Sequence, residues 1–472
     1  MRVRVQVIVE PDGEDDEQPS VVHEVGQIER SELAVDTLGL QLAEAKQLLQ
    51  QVQAVLIDEQ VRGHLGQQVA CPACGQARAH KDTHPIVVRT LFGTLHLRSP
   101  RWHHCSCQPQ PTRTFSPLAA ALPERTTPEL LYLESKFAGL VSYGLSAELL
   151  AETLPLGRRL HASAVRLHAL ATGMRLEREL GPEQPMFADG CQAEWDELPR
   201  PDLPLTVGLD GGYVHSSHQR TKRDGWFEVI AGKSMPADGS PKCFGFVQTY
   251  DRKPKRRLFE VLKSQGMAMN QQVVFLTDGG EDVRDLPLYL NPHAEQYLDW
   301  FHVTMRITVM TQMAKGLRSR DDPKLAATVI EELERLKWFL WHGNVFRALR
   351  TTQDLEFDLA TDDAGPEQRK LLKVITEFGG YIRANARSIP NYGERYRAGE
   401  AISSAFVEST VNQVVSKRMV KKQQMRWTPK GAHLLLQLRT KVLNAELAGV
   451  FQRWYPAFVA PTEAPAREER AA

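Results

Sequence analysis

Valines at positions 3, 5, 7 and 9 alternate with polar or charged neighbours in MRVRVQVIVE, the period-two pattern of a half-buried strand. After a PDG turn and an acidic stretch, VVHEVGQI reads as its hairpin partner. From Leu42 the pattern changes: Ala45, Leu49, Val52 and Leu56 step by three and four, which predicts an amphipathic helix ending near Gly63 that serves packing or a dimer contact. PIVVRTLFGTLHLRSPRWHHC reads as two strands around the Phe92-Gly93-Thr94 turn. Beyond the Pro-rich linker QPQPTRTFSPLAAALPERTTP the period is helical, with breaks around Tyr143-Gly144 and Leu156-Gly157; a helix-turn-helix or a plain three-helix spacer fits.

From residue 204 the pattern becomes α/β. LTVGLDGGYV, WFEVIAG and CFGFVQTY predict a meander of three strands. A helix over RRLFEVLKSQG, the strand VVFLTD, a helix over EDVRDLPLYL and a strand near QYLDWF follow. Between about 303 and 400 the apolar spacing is helical, so a helical insertion separates Asp278 from Glu408. Residues 175–203 read as a loop-rich connector, and the tail APTEAPAREERAA as disordered.

Composition narrows this little. The 472 residues suffice for two to four domains, and 42% hydrophobic with 25% charged content is ordinary for a soluble globular chain. Net charge is zero, so any affinity for a polyanion must come from local clusters of cations. With no long apolar run and no signal-peptide pattern, a cytoplasmic location is expected.

Six cysteines include two close pairs, Cys71/Cys74 in CPACG and Cys105/Cys107 in CSC, a spacing that predicts a closed structural Zn²⁺ site in a small zinc ribbon. His103 or His104 is an alternative ligand, and Cys191 and Cys243 read as isolated thiols. Asp210 and Asp278 each end an apolar strand and precede Gly-Gly. Turn chemistry explains such a motif, but a buried carboxylate is costly unless a cation compensates it, so the pair also reads as metal-binding. Glu408 heads a run, Ser409 to Asn444, without a single acid, in which Lys417, Arg418, Lys421, Lys422 and Arg426 form a cluster suited to a phosphate backbone. Its bland reading is complementation of a helix dipole. Asp299 and His302 in DWFH suggest either a metal- or phosphate-positioning pair or a capping aspartate. Asp210, Asp278 and Glu408 together read as a triad holding two Mg²⁺ (or Mn²⁺) ions for phosphodiester chemistry.

The stretches LDGGYV, FLTDGG, LDWFHVTMR, LKWFLWHGN, IPNYGERYRAGEAISSAFVESTVNQVVSKRMVKKQQMRW and GAHLLLQLRT resemble bacterial insertion-sequence transposases of the ISKra type, within the Mutator-like DDE group, over roughly residues 204 to 456. That resemblance implies a mixed α+β and α/β multidomain chain with a ribonuclease-H-like catalytic core. It implies Asp210, Asp278 and Glu408 as catalytic acids, with Asp210 bridging two metal ions, and a functional role for Asp299 and His302. The implied organisation is an N-terminal hairpin and helix at 1–65, a zinc ribbon at 66–122, a helical DNA-binding segment at 123–180, the first part of the core at 204–302, the all-helical insertion at 303–400, the Glu-bearing basic helix and a C-terminal helix at 401–456, and the tail at 457–472. The implied activity is cleavage at element ends and strand transfer into target DNA, by a homodimer or higher oligomer bound to double-stranded DNA with terminal inverted repeats. A two-metal nuclease or junction resolvase on the same fold, or a non-catalytic DNA-binding regulator, are the alternatives.

Overall fold

The computed structural model describes residues 1–10, 20–107, 113–157, 160–187, 190–199, 204–217, 225–236, 239–279, 294–317, 323–403, 409–420 and 425–461. The helix expected over EDVRDLPLYL and the tail beyond residue 461 lie outside them; of the tail expected at 457–472, Phe458 and Ala460 are buried. The chain is a mixed helix-and-sheet protein of two compact units, Met1–Ala171 with Glu446–Ala472, and Thr172–Ala445. No helix among the described residues is long and apolar enough to cross a membrane.

In the first unit, β1 (Arg2–Val9) and β2 (Val21–Glu29) form an antiparallel hairpin with an irregularity between Val5 and Gln6. Helix α1 runs over Leu42–Gln68, past the expected stop at Gly63, because a lone glycine costs a helix only about 1 kcal/mol and nothing there forces a turn. Its start is tied to the hairpin. Arg30 donates to both oxygens of Glu44 at 2.8 and 2.6 Å, and Glu44 also accepts from the Gln41 N–H at 3.0 Å, closing a capping box. Leu42, Leu49 and Leu56 of the predicted apolar stripe remain exposed.

Strands β3 (His80–Thr90), β4 (Gly93–His103) and β5 (Thr114–Phe115) make a small antiparallel sheet. Helices α2 (Pro117–Ala121), α3 (Pro128–Leu140), α4 (Tyr143–Thr153) and α5 (Ala162–Glu179) follow, and Leu130, Leu150 and Leu156 form their core. The helix Leu447–Trp454 returns to this unit, setting Phe451 edge-to-face against Tyr132 of α3 with ring centroids 5.4 Å apart. Of the residues expected with the core at 401–456, those from Glu446 onward belong instead to this unit, where Phe451 meets Tyr132 of α3.

The second unit begins within α5 and continues through the short α6 (Gln192–Asp196). The expected connector contributes to the core here: Phe187 is buried and stacks on Phe259 at 4.7 Å. Strands β6 (Leu205–His215), β7 (Trp226–Met235) and β8 (Lys242–Val247) form the meander, then come α7 (Pro254–Lys263), β9 (Val273–Thr277) and β10 (Ala294–Leu298). The strand order is β10-β9-β6-β7-β8, with β6, β9 and β10 parallel and β7 antiparallel to both its neighbours. Leu205, Val207, Leu209, Ile230, Phe244, Phe246, Val273 and Phe275 join Leu258 and Leu262 of α7 in one core. By strand alternation, Asp210 belongs to the opposite face.

On that face lie a π-helix, Asn412–Val420, and α13 (Pro429–Leu443), which is numbered after the helical insertion. The insertion comprises α8 (Trp300–Leu317), α9 (Pro323–Trp341), α10 (Val345–Leu359), α11 (Pro366–Ala384) and α12 (Tyr392–Arg397) around its own apolar core. Its first helix starts at Trp300, three residues before the expected boundary, because Asp299 ends β10 and caps α8 in one step.

Candidate functional site

The sheet changes direction between β6 and β9: from β6 the chain first builds β7 and β8 on one side, then β9 and β10 on the other. The carboxyl ends of strands at such a switch point form a natural crevice. Leu205 pairs with Val273 and Gly208 with Leu276, so two residues further the same register sets Asp210 level with Asp278. Leu298 pairs with Thr277, and the Asp299 N–H donates to the Thr277 carbonyl at 2.8 Å, which brings Asp299 in beside them.

Asp299 is fully buried. One of its oxygens accepts from the Phe301 N–H at 3.0 Å and the other lies 2.7 Å from His302 Nδ1. Capping and His-positioning therefore coexist in a single carboxylate. The Asp299 hydrogen bond raises the His302 pKa above its ordinary value against the opposing effect of burial, and Asp210 and Asp278 add to the rise. Burial pushes the Asp210 carboxyl up, opposed by His302 and by the Gly211 N–H at 2.8 Å, while Asp278 and Asp299 push it further. The four groups thus share one electrostatic neighbourhood in which a cation is favourable. Their ligand atoms do not draw together as tightly as the two clusters described below.

The insertion supports the second acid. Gly279 adopts φ +84° against Asn385, where a Cβ would meet the carboxamide at 2.7 Å, and Tyr381 of α11 donates to the Asp278 carbonyl at 2.9 Å. The Arg306 guanidinium lies 4.2 Å from the Tyr381 ring. These supports escaped the sequence reading because they come from helices about one hundred residues downstream.

Glu408, Lys421 and Lys422 lie outside the described residues. The segment following Glu408 packs on the Asp210 face: a Cβ at Gly212 would meet Val411 at 3.2 Å. Trp427 extends the edge of β6, its N–H donating to the His215 carbonyl at 2.8 Å. Lys417 and Arg426 are exposed. Arg418 departs from the expected phosphate contact: it is only 4% exposed, with its guanidinium 5.3 Å from the buried Trp427 ring. In a helix one side must face the sheet, and Arg418 is on that side.

The four cysteines Cys71, Cys74, Cys105 and Cys107 converge, with Sγ–Sγ separations of 3.6 Å for 71–107, 3.4 Å for 74–105 and 3.5 Å for 74–107. A tetrahedron with Zn–S bonds of about 2.3 Å has edges of about 3.8 Å, so the cluster is sized for zinc. Gly75 at φ +73° turns the first pair, and the Gly75 N–H donates to the Cys71 carbonyl at 2.8 Å. The Ala73 N–H above all, with that of Cys74, pulls the Cys71 thiol down to about 6, whereas the neighbouring sulfurs, Cys105 first, hold Cys107 up to about 12. Without a cation four thiolates so close cannot all ionise.

A second cluster had no sequence signal, since its three members come from three separate segments. Ligand atoms of Glu177, Asp251 and His433 lie within 4.8 Å of one another, a spacing a metal could use. Arg257, itself buried, occupies the same oxygens. It donates to Asp251 at 2.9 and 3.1 Å, to Glu177 at 2.9 Å and to Gln437 at 2.6 Å.

No known protein family and no curated protein matches the chain. Among solved structures, that of the Drosophila P element transposase strand transfer complex aligns over 68% of this chain and 93% of that one, at 9% identity and a TM-score of 0.31, a likeness too slight to bear on fold or function.

Proposed function

We propose that the second unit is the ribonuclease-H-like catalytic core of a metal-dependent DNA transposase. The observation that carries this is the register of β6 and β9, which puts Asp210 and Asp278 side by side at the switch point, on the face over which the segment after Glu408 packs. The strand order, a three-strand meander extended by two parallel strands, supports the same reading. Asp210, Asp278 and Glu408 would hold the Mg²⁺ ions, which when bound supply positive charge at a scissile phosphodiester and ease ionisation of the attacking oxygen.

The protein's own part is positional. The strand ends fix two carboxylates on one face, Tyr381 holds the backbone of the second, and Asp299 orients His302 so that its other nitrogen, Nε2, is available to a phosphate oxygen. Lys417 and Arg426, with Lys421 and Lys422, would carry the backbone of double-stranded DNA past these groups. The four cysteines would hold a structural Zn²⁺, and helices α3 to α5 would recognise element ends or a partner subunit.

The test uses DNA containing the inverted repeats that flank the gene. Purified protein with Mg²⁺ should cleave at the repeat ends and join the freed 3′ ends to a target duplex. Asp210→Asn, Asp278→Asn and Glu408→Gln should each lower the rate by at least about 10³, while end binding persists. Cleavage without joining would favour the nuclease or resolvase reading. Binding without cleavage in the wild type would favour the regulator.

A further inference from the structure

Beside the network of Arg257, Glu177, Asp251 and His433 opens a cavity of about 520 Å³, lined by residues of α5, the β8–α7 loop and α13. Arg178, Arg252, Lys253 and Lys430 stand around it against two carboxylates, Glu177 and Asp251. Both carboxylates are engaged by the buried Arg257 guanidinium, which offsets one of their two charges, so the four outer cations leave a surplus of three positive charges around the cavity. Arg252 and Lys430 have no ion-pair or hydrogen-bond partner among the described residues. Cations held near one another around a concavity create a positive potential that an anion relieves.

The position of the cavity selects the anion. Gly212 pairs with Val229 and Val229 with Val247, so the loop leaving β8 starts from the same end of the sheet as Asp210, two strands away. Helix α13, which supplies Lys430 and His433, lies on the Asp210 face. Two strand spacings are about 10 Å, within reach of a nucleic-acid backbone that passes Asp210.

We infer that this cavity holds a backbone phosphate of the same DNA whose scissile phosphodiester lies at Asp210. The inference rests on the catalytic reading above and adds a second anchoring point to it. Arg252 and Lys430 make the direct contacts. Arg257 holds Asp251 and Glu177 back from the anion.

The experiment measures binding of a short duplex of arbitrary sequence, in buffer without added Mg²⁺ or chelator, across a series of salt concentrations, for the wild type and for Arg252→Ala/Lys430→Ala. Both residues are at the surface, so the thermal midpoint should not move. Loss of the one phosphate held there should reduce the slope of log affinity against log salt by about 0.9, and Arg252→Lys/Lys430→Arg should restore it. An unchanged slope in a double variant of a protein that does bind DNA overturns the cavity assignment and leaves the catalytic reading intact. Failure of the wild type to bind any DNA overturns both. Inorganic pyrophosphate is the second arm: if it binds wild type but not the double variant, while the DNA slope is the same for both, the cavity serves a small phosphate ligand and the backbone assignment falls.

Discussion

The imidazole of His302 rests 2.7 Å from the buried carboxylate of Asp299, one helical turn apart at the head of α8. Because the other oxygen of that carboxylate caps the helix, the charge of His302 and the start of the insertion are set together. With its folded-state pKa raised above about 6.5, His302 adds stability that is fully present below that pH and lost as pH rises through the folded value. Asp299→Asn keeps an acceptor for the Phe301 N–H and removes the charge. Its deficit in thermal midpoint should be larger at pH 6 than at pH 9, and the His302 ring signal should titrate lower by NMR. An equal deficit at both pH values would make Asp299 a cap alone.

Lys417 and Arg418 are sequence neighbours with opposite environments. Lys417→Ala should leave the thermal midpoint unchanged and lower the salt slope of DNA binding by about 0.9. Arg418→Ala should cost about 1–2 kcal/mol of stability through its contact with Trp427, measured by urea unfolding. A fully stable Arg418→Ala protein would show that the buried guanidinium contributes nothing.

Elemental analysis should find one zinc per chain. Cys71→Ser should lose it and expose the β3–β5 region to protease, with the spectrum of the second unit unchanged. A zinc-free protein that resists proteolysis equally well would exclude a structural metal.

Glu44 is held down to about 2, chiefly by the Arg30 guanidinium and also by the Gln41 N–H. A carboxylate depressed on folding stabilises above its unfolded value of about 4.5, and that contribution disappears as pH falls towards 2. Glu44→Gln should therefore lower the unfolding midpoint of the first unit at pH 7 and make progressively less difference below pH 4. A constant difference across this range would assign the loss to the capping geometry instead of the charge.

The strands were legible where hydrophobic alternation is strong. LTVGLDGGYV and VVFLTD became β6 and β9 because their apolar residues fill both faces of a central sheet. Local periodicity carries no register, however, and the side-by-side placement of Asp210 and Asp278 needed the pairing itself. The basic run after Glu408 was visible as charge, but not which side of its helix faces the sheet, so Arg418 and Lys417 looked alike. The Arg257 network was invisible for a related reason: an arginine on an amphipathic helix reads as solvated until Gln437, His433 and Glu177 arrive from distant segments.

Phe451 and Phe458 pack on Tyr132, so the first unit is closed by residues made long after its first helices. At about 5–20 residues per second, a ribosome takes roughly 15–55 s to travel from the end of the unit's first segment to the start of its second. Throughout that interval Tyr132 lacks its aromatic cover, while the second unit is made and its earlier elements emerge and can fold. The intervening unit therefore has the opportunity to mature first, and completion of its predecessor becomes a late event in biosynthesis. A nascent chain stalled before residue 446 should carry a protease-sensitive α3 beside an already resistant sheet.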